Sequence, residues 1–453
     1  MTAPRSLHTW LPACLFLLIV ASGAIYSQVG VSFTFVKYPP KRDERDDPHR
    51  IAAENCEGAR DCGDNGGGGG GGDFDRERDL FPPFWEERSA GSAPSWDGHS
   101  ELCASNASVA AAVEGFSSLP GMIQNFLTHR HCRRFELVLE PRRSKCDPGP
   151  VTLLIAIKSD ARNLARRDVI RRTWGQERTI KGEIVRRVFL FGVVADVPGE
   201  RRMRLNALLQ EESRLYNDVV QWNFLDTFYN LTLKQLLFLD WMAERCPLTR
   251  FIFDGDDDIF VNSDNMVEYV TTSQASGDPP SSSSSSTHET AGRHMYEGYV
   301  ISNVGPIRHT WSKYYVPVQV QESERYPPYV GGGGIIMSGH TALQIRKAAP
   351  SVPLLPIDDV FFGQCLELLG LAPRRNAEFR TAGIHNPRAG AGDDGLSSFH
   401  PCYYREVLLV HSLEPFEVQL MWGALKRPWL RCGRPPVPIP RPLDAAVAVE
   451  QEK

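Results

Sequence analysis

The chain has 453 residues, a formal net charge of −5 and 42% hydrophobic side chains. That length allows one large core with ancillary segments, since single domains commonly run to roughly 250–300 residues. So small a charge leaves no broad basic footprint, and nucleic acid is excluded as an expected partner. The ten cysteines stand at positions 14, 56, 62, 103, 132, 146, 246, 365, 402 and 432. They form no Cys-x-x-Cys pair and no His/Cys cluster at zinc spacing, which argues against a structural zinc site. Scattered cysteines with two N-x-S/T sequons, at Asn106 and Asn230, point to an oxidising secretory compartment and to N-glycosylation. Cysteine connectivity does not follow from spacing; Cys132 and Cys146 are near enough in sequence for a local pair.

From Thr9 to Val36 there is no charged side chain, and Trp10 to Val20 is the densest apolar part. Two readings fit. A cleaved signal peptide would use the small residues Ala21-Ser22-Gly23-Ala24, whereas a span continued toward Phe35 is long enough to cross a bilayer, which needs about 20 residues. Residues 37 to about 128 carry charged runs, seven consecutive glycines (Gly66 to Gly72) and scattered Pro and Ser. Such composition buries too little apolar surface to offset chain entropy and reads as a flexible spacer.

Folding signals begin near His131. Val151 to Ile157 reads as a buried strand. A helix follows, with Asn163 as N-cap and Leu164, Ile170 and Trp174 as core contacts. Its other side is basic: Arg162, Arg166, Arg167, Arg171 and Arg172. Such a face is usually solvated, but a guanidinium pair there could also reach a diphosphate. Arg187 to Gly192 reads as a second strand, followed by a helix with Leu205, Leu208, Leu209 and Leu215 on one face. Asp218 to Trp222 is a third strand, and Asn230 to Arg245 a long helix with Lys234 near its start. Phe251-Ile252-Phe253 is a fourth strand and ends in Asp256-Asp257-Asp258. Strands alternating with helices predict an α/β domain with a largely parallel sheet, in which ligands bind at the carboxyl ends of strands.

Three carboxylates at a strand end within an apolar frame are costly unless a cation neutralises them, and hard divalent cations with oxygen ligands suit them. Residues 273–292, with Ser281 to Ser286, read as a disordered surface insertion. Tyr326-Pro327-Pro328-Tyr329 leads into Gly331 to Gly334, where the lack of side chains permits close approach of backbone to a ligand. Asp358 and Asp359 open a helix, a position that often means only capping. His411 ends a late strand and could give a nitrogen ligand to a borderline cation such as Mn²⁺.

In this order, the segments resemble the β-1,3-glycosyltransferases, Golgi type II enzymes with a GT-A fold. The matching motifs are residues 167–175 (RDVIRRTWG), 224–234 (FLDTFYNLTLK), Asp256-Asp257-Asp258 with Phe260-Val261-Asn262, Tyr326 to Tyr329 with its glycines, and Asp358-Asp359-Val360 with Gly363 and Cys365. The resemblance runs from about residue 131 to 432. Galactosyltransferase members tend to carry Asp-Ser-Asp and Glu-Asp-Val where this chain has Asp256-Asp257-Asp258 and Asp358-Asp359-Val360, so it is closer to the β-1,3-N-acetylglucosaminyltransferases. The alternatives are a β-1,3-galactosyltransferase and a silent Golgi glycan-binding protein.

The resemblance implies a Golgi membrane enzyme with a cytoplasmic tail (1–9), a signal anchor (10–30), a lumenal stem (31–128), a GT-A catalytic domain (129–435) and a C-terminal tail (436–453). It implies inverting transfer from UDP-GlcNAc to the 3-hydroxyl of a galactose-terminated glycan, with Mn²⁺ or Mg²⁺ held by Asp258, Asp256 and His411. Asp359 matches the position of the general base, with Asp358 beside it. Asp257, Arg167, Arg171 and Lys234 are expected on the donor, and Tyr329, Gly332 and Gly333 at the pocket.

Overall fold

The computed structural model describes residues 103–147, 149–194, 199–275, 294–384 and 399–433. The expected tail, anchor, most of the stem, nearly all of the Ser-rich insertion and the C-terminal tail lie outside them. Among the described residues no helix is long and apolar enough to cross a membrane.

In chain order the strands are β1 (Leu137–Leu139), β2 (Leu153–Lys158), β3 (Arg178–Ile180), β4 (Glu183–Val194), β5 (Val219–Asp226), β6 (Phe251–Asp256), β7 (Ile259–Val261), β8 (Tyr296–Ile301), β9 (Tyr329–Ser338), β10 (Arg374–Arg375), β11 (Phe379–Arg380) and β12 (Leu409–His411). The helices are α1 (Ser108–Ala112), α2 (Gly121–His129), α3 (Leu164–Arg172), α4 (Gly199–Tyr216), α5 (Leu231–Arg245), α6 (Ser263–Ala275), α7 (Gly339–Ala348), α8 (Asp358–Leu368), α9 (Pro401–Tyr404) and α10 (Pro415–Leu425). A nine-stranded mixed sheet runs β1-β5-β4-β2-β6-β9-β8-β10, with β3 on β4; β11-β12-β7 form a small second sheet. The domain is thus α/β, as its alternating pattern predicts.

The central strands are apolar on both faces because helices cover both. On β2, Leu154 and Ala156 point into one core and Leu153, Ile155 and Ile157 into the other, as the twofold alternation of a strand requires. Both faces are shielded from water.

Several expectations are corrected here. The domain begins before residue 129: Ile123, Phe126 and Leu127 of α2 belong to the core, and Cys103 is tied to Cys132. The remaining bridges are Cys146–Cys246 and Cys402–Cys432, so Cys132 and Cys146 do not pair. Helix α6 continues to Ala275, into the start of the expected insertion. Leu164, Leu208 and Leu215 are exposed, leaving Leu209 as the fully buried leucine of α4.

The basic face of α3 is also not what its composition suggests. Arg167 and Arg171 turn inward and are buried. Arg167 binds Glu212 at 2.6 Å, and Arg171 reaches Glu212 at 2.6 Å and Asp218 at 2.8 Å. Their guanidinium planes lie over Phe191 and Phe189. Burial pushes the Asp218 carboxyl up, but the Arg171 hydrogen bond and the charges of Arg187 and Arg171 win and hold it below its ordinary value. These two arginines lock α3 and α4 to the sheet and are not free to bind a diphosphate.

Removing one partner from such a buried network leaves an uncompensated charge, a loss of about 3–5 kcal/mol. Asp218→Ala should therefore lower the denaturation midpoint sharply while the folded fraction still binds UDP. An unchanged midpoint with lost UDP binding would return Arg171 to the donor site.

Candidate functional site

The site follows from strand register. β2 and β6 are parallel neighbours, and their register sets Lys158 opposite Asp256. Lys158 Nζ consequently stands 3.2 Å from Asp256 and 2.9 Å from Asp358, the first residue of α8. Burial would lower this lysine, but Asp256 and Asp358, aided by Asp254 and Asp359, more than reverse that and hold it charged.

β7 and β12 are antiparallel, with His411 opposite Ile259. That register delivers the imidazole to the acidic run, where His411 Nε2 is 3.5 Å from Asp258 Oδ1. Ser412 Oγ is 2.8 Å from Nδ1 and orients the ring. Potential ligand atoms of Asp256, Asp258 and His411 all lie within 4.8 Å of one another. Asp258 Oδ1 is buried and lacks a hydrogen-bond partner. Two carboxylates, one with an orphaned buried oxygen, and an imidazole fit a divalent cation.

Asp257 faces the other way. It accepts from Ser159 Oγ at 2.6 Å, Asn163 Nδ2 at 3.0 Å and Arg166 at 3.2 Å. Asn163 therefore does not cap α3 through its side chain; it ties that helix to the acidic run. Arg166 also reaches Asp258 at 3.4 Å. The guanidinium α3 brings to the site is Arg166, not Arg167 or Arg171.

The glycine run of β9 lies across both acidic clusters. A Cβ on Gly331 would stand 3.4 Å from Asp359 Oδ2, one on Gly332 would strike Thr381, and one on Gly333 would come within 2.3 Å of His411 Cδ2. Gly332 and Gly333 also adopt φ of +85° and +88°, which L side chains rarely tolerate. Burial, then Asp358, raises the Asp359 carboxyl well above the ordinary carboxylate value. Burial, then Asp359, raises the Tyr329 phenol, which stays protonated. Beneath them Asp254 is pushed up to about 7, chiefly by burial, and accepts from Gln235 at 2.8 Å.

A cavity of about 970 Å³ opens over Lys158, Ser159, Asp226, Lys234 and the acidic run. Lys234 is held at 2.8 Å by Asp226 in its wall. Of the two sequons, Asn106 is exposed, whereas Asn230 is half-buried, lines the cavity and donates to the Leu225 carbonyl at 2.8 Å. Lys158, Asp254, Arg166 and Asp226 are absent from the residues expected at the site. For Lys158 a signal existed: a cation ends an otherwise apolar strand, beside the strand that ends in carboxylates.

The fold and this arrangement define a glycosyltransferase. Residues 165–377 match the family model described as Galactosyltransferase, and the chain belongs to that family. It is 45% identical over 352 residues to human N-acetyllactosaminide beta-1,3-N-acetylglucosaminyltransferase 3, covering 78% of this chain and 88% of the relative. It is 46% identical to human acetylgalactosaminyl-O-glycosyl-glycoprotein beta-1,3-N-acetylglucosaminyltransferase, covering 73% and 81%. With human UDP-GlcNAc:betaGal beta-1,3-N-acetylglucosaminyltransferase 9 the identity is 42%, covering 67% and 74%.

Two variants test the assembly. Lys158→Met removes the counter-ion between Asp256 and Asp358; it should lower the melting temperature without metal and enlarge the rise on adding Mn²⁺. Equal Mn²⁺ shifts in variant and parent would contradict that role. Gly333→Ala should displace His411 and weaken Mn²⁺ affinity by about 10- to 100-fold in a calorimetric titration, the range typical of a disturbed ligand shell; unaltered affinity would remove His411 from the set.

Proposed function

We propose that the protein transfers GlcNAc from UDP-GlcNAc, with inversion, to the 3-hydroxyl of a terminal galactose on a glycan chain. The observation that carries this reading is the pairing of a cation-ready triad, Asp256, Asp258 and His411, with a separate carboxylate, Asp359, along one glycine-lined strand. The names of the relatives support the donor and the β-1,3 linkage. They differ on the acceptor sugar, galactose or N-acetylgalactosamine, so both belong in the assay.

Asp256, Asp258 and His411 would hold Mn²⁺ or Mg²⁺. When bound, such an ion supplies positive charge that stabilises the diphosphate as a leaving group. Asp359 does the complementary work. It takes the proton from the acceptor 3-hydroxyl as that oxygen forms its bond to C1 of the sugar, and the C1–O bond to UDP breaks with its electrons leaving on UDP. Gly331 allows the backbone to pass close to Asp359 without a side chain between base and acceptor. Lys158 pairs with Asp358, and its charge partly offsets the rise that burial and Asp358 impose on Asp359.

Three bridges among the described residues and the exposed sequon at Asn106 support a lumenal domain. With the uncharged N-terminal run they favour a Golgi type II membrane protein. Carbonate-resistant Golgi membranes should then retain a chain with an intact N-terminus; a processed, freely secreted form would contradict the anchor.

Asp359→Asn should reduce turnover by about 10²- to 10⁴-fold, the contribution typical of a positioned base, while UDP binding with Mn²⁺ survives. Near-normal turnover would exclude it. Because the Asp359 carboxyl is raised, it becomes protonated at higher pH than a free aspartate. The parent's kcat/KM should therefore fall as pH drops through a pKa above about 3.9, a limb absent from the residual activity of Asp359→Asn.

Asp258→Ala should lose metal-dependent UDP binding; unaltered affinity in Mn²⁺ would contradict its place as a ligand. UDP release measured with UDP-GlcNAc and UDP-Gal over galactose- and N-acetylgalactosamine-ended acceptors decides the donor. Preference for UDP-Gal would make the protein a β-1,3-galactosyltransferase, and no release with either would leave a glycan-binding protein.

A further inference from the structure

The cavity above the acidic run is at the upper end of ligand-pocket sizes, and part of its wall is aromatic. Phe228, Tyr229 and Trp311 line it together with Asp256 to Asp258. Trp311 is 57% exposed, which for a lone surface tryptophan would need no explanation. Here, however, the ring is held. It stacks on His309 at 5.6 Å with an interplanar angle of 13°. The loop beneath is pinned by Ser312 N to His309 O at 3.1 Å, Tyr315 N to Ser312 O at 3.1 Å and Val316 N to Ile307 O at 2.9 Å. Tyr315 and Val316 bury themselves and anchor it further. Phe228 meets Tyr229 and Tyr314 edge-to-face at 5.8 and 5.5 Å, so the rings brace one another.

A preordered aromatic face opening into a polar cavity suits a ligand that is apolar on one face and hydroxylated at its rim. A pyranose ring has that shape: its axial C–H bonds form an apolar patch for the indole, and its hydroxyls face water or neighbouring polar groups such as Thr310 and Lys313, which share the wall. We propose that Trp311, with Phe228 in the wall of the same cavity, forms a subsite for an inner sugar of the acceptor chain, so that the enzyme reads acceptor length as well as the terminal residue. This rests on the reading that the acceptor is a glycan. It adds that a monosaccharide acceptor forgoes this contact.

The test compares the full chain with Trp311→Ala and Trp311→Phe, using a galactose monosaccharide and an N-acetyllactosamine tetrasaccharide. In the parent, kcat/KM should favour the tetrasaccharide. Trp311→Ala should reduce that preference by roughly five- to tenfold, the scale of one lost ring contact, mainly through acceptor KM. Trp311→Phe, which keeps a flat apolar face, should retain most of it. A calorimetric titration of tetrasaccharide with UDP and Mn²⁺ present, and no transferable sugar, should show the same loss of affinity. If preference and affinity both survive Trp311→Ala in a variant that melts like the parent, the subsite is refuted. If the tetrasaccharide binds through Trp311 but UDP-GlcNAc is not consumed, the donor assignment falls while the subsite stands.

Discussion

One ammonium group between two carboxylates sets the geometry of the site. Lys158 ends β2, Asp256 ends β6 and Asp358 begins α8, and the first two are neighbours because the strands are parallel in that register. Without a cation between them, Asp256, Asp358, Asp359 and the buried Asp254 would gather like charge at the edge of an apolar core, where water screens poorly. The start of α8 helps through its macrodipole, which favours acidic residues in the first turn. A helix end alone is too weak to hold several buried carboxylates together. The lysine gives them a fixed partner.

That arrangement explains which parts of the molecule could be read from its residues. Strands such as β2 and β6 are apolar on both faces because helices cover both, so their runs stand out against the chain. The acidic run and the Asp358-Asp359 pair were legible as types of residue at strand and helix ends. What joins them was not. Lys158 looks like the polar end of a strand until β6 lies beside it. Arg167 and Arg171 differ from Arg166 only by their direction around α3, and that direction is decided by Glu212 and Asp218, more than forty residues away in sequence. A single residue along a helix turns the side chain by about 100°, enough to exchange a cavity arginine for a core one. The disulfides are equally non-local: Cys146 finds Cys246 across 100 residues.

The glycine run has the same dependence on distant partners. Its composition permits close approach of the backbone, and the segment is a strand, β9, hydrogen-bonded to β6 with Gly334 opposite Gly255. Each glycine makes room for a different neighbour: Ile301 at Gly331, Thr381 at Gly332, His411 at Gly333 and Leu409 at Gly334. The backbone there serves as a thin wall between the two acidic clusters. A side chain on it would strike Ile301, Thr381, the His411 imidazole or Leu409 of β12. The close approach is made to neighbouring side chains of the protein itself.

The same cavity then holds two kinds of surface, one acidic and one aromatic. Its acidic floor is built on strand ends and strand register, which are rigid and leave little freedom to alter the chemistry. Its aromatic wall is built on the 309–316 loop and the turn around Phe228, outside the central sheet, where a change of side chain disturbs no ladder hydrogen bond. Stacking holds the exposed rings in place of a sheet: His309 under Trp311, and Tyr314 against Phe228. On the proposed reading the diphosphate would be the same in every turnover while acceptor chains differ in length and sequence. Fixed charge on the floor would then serve the invariant group, and loop-borne aromatic surface would give the variable one a contact that can change without dismantling the site.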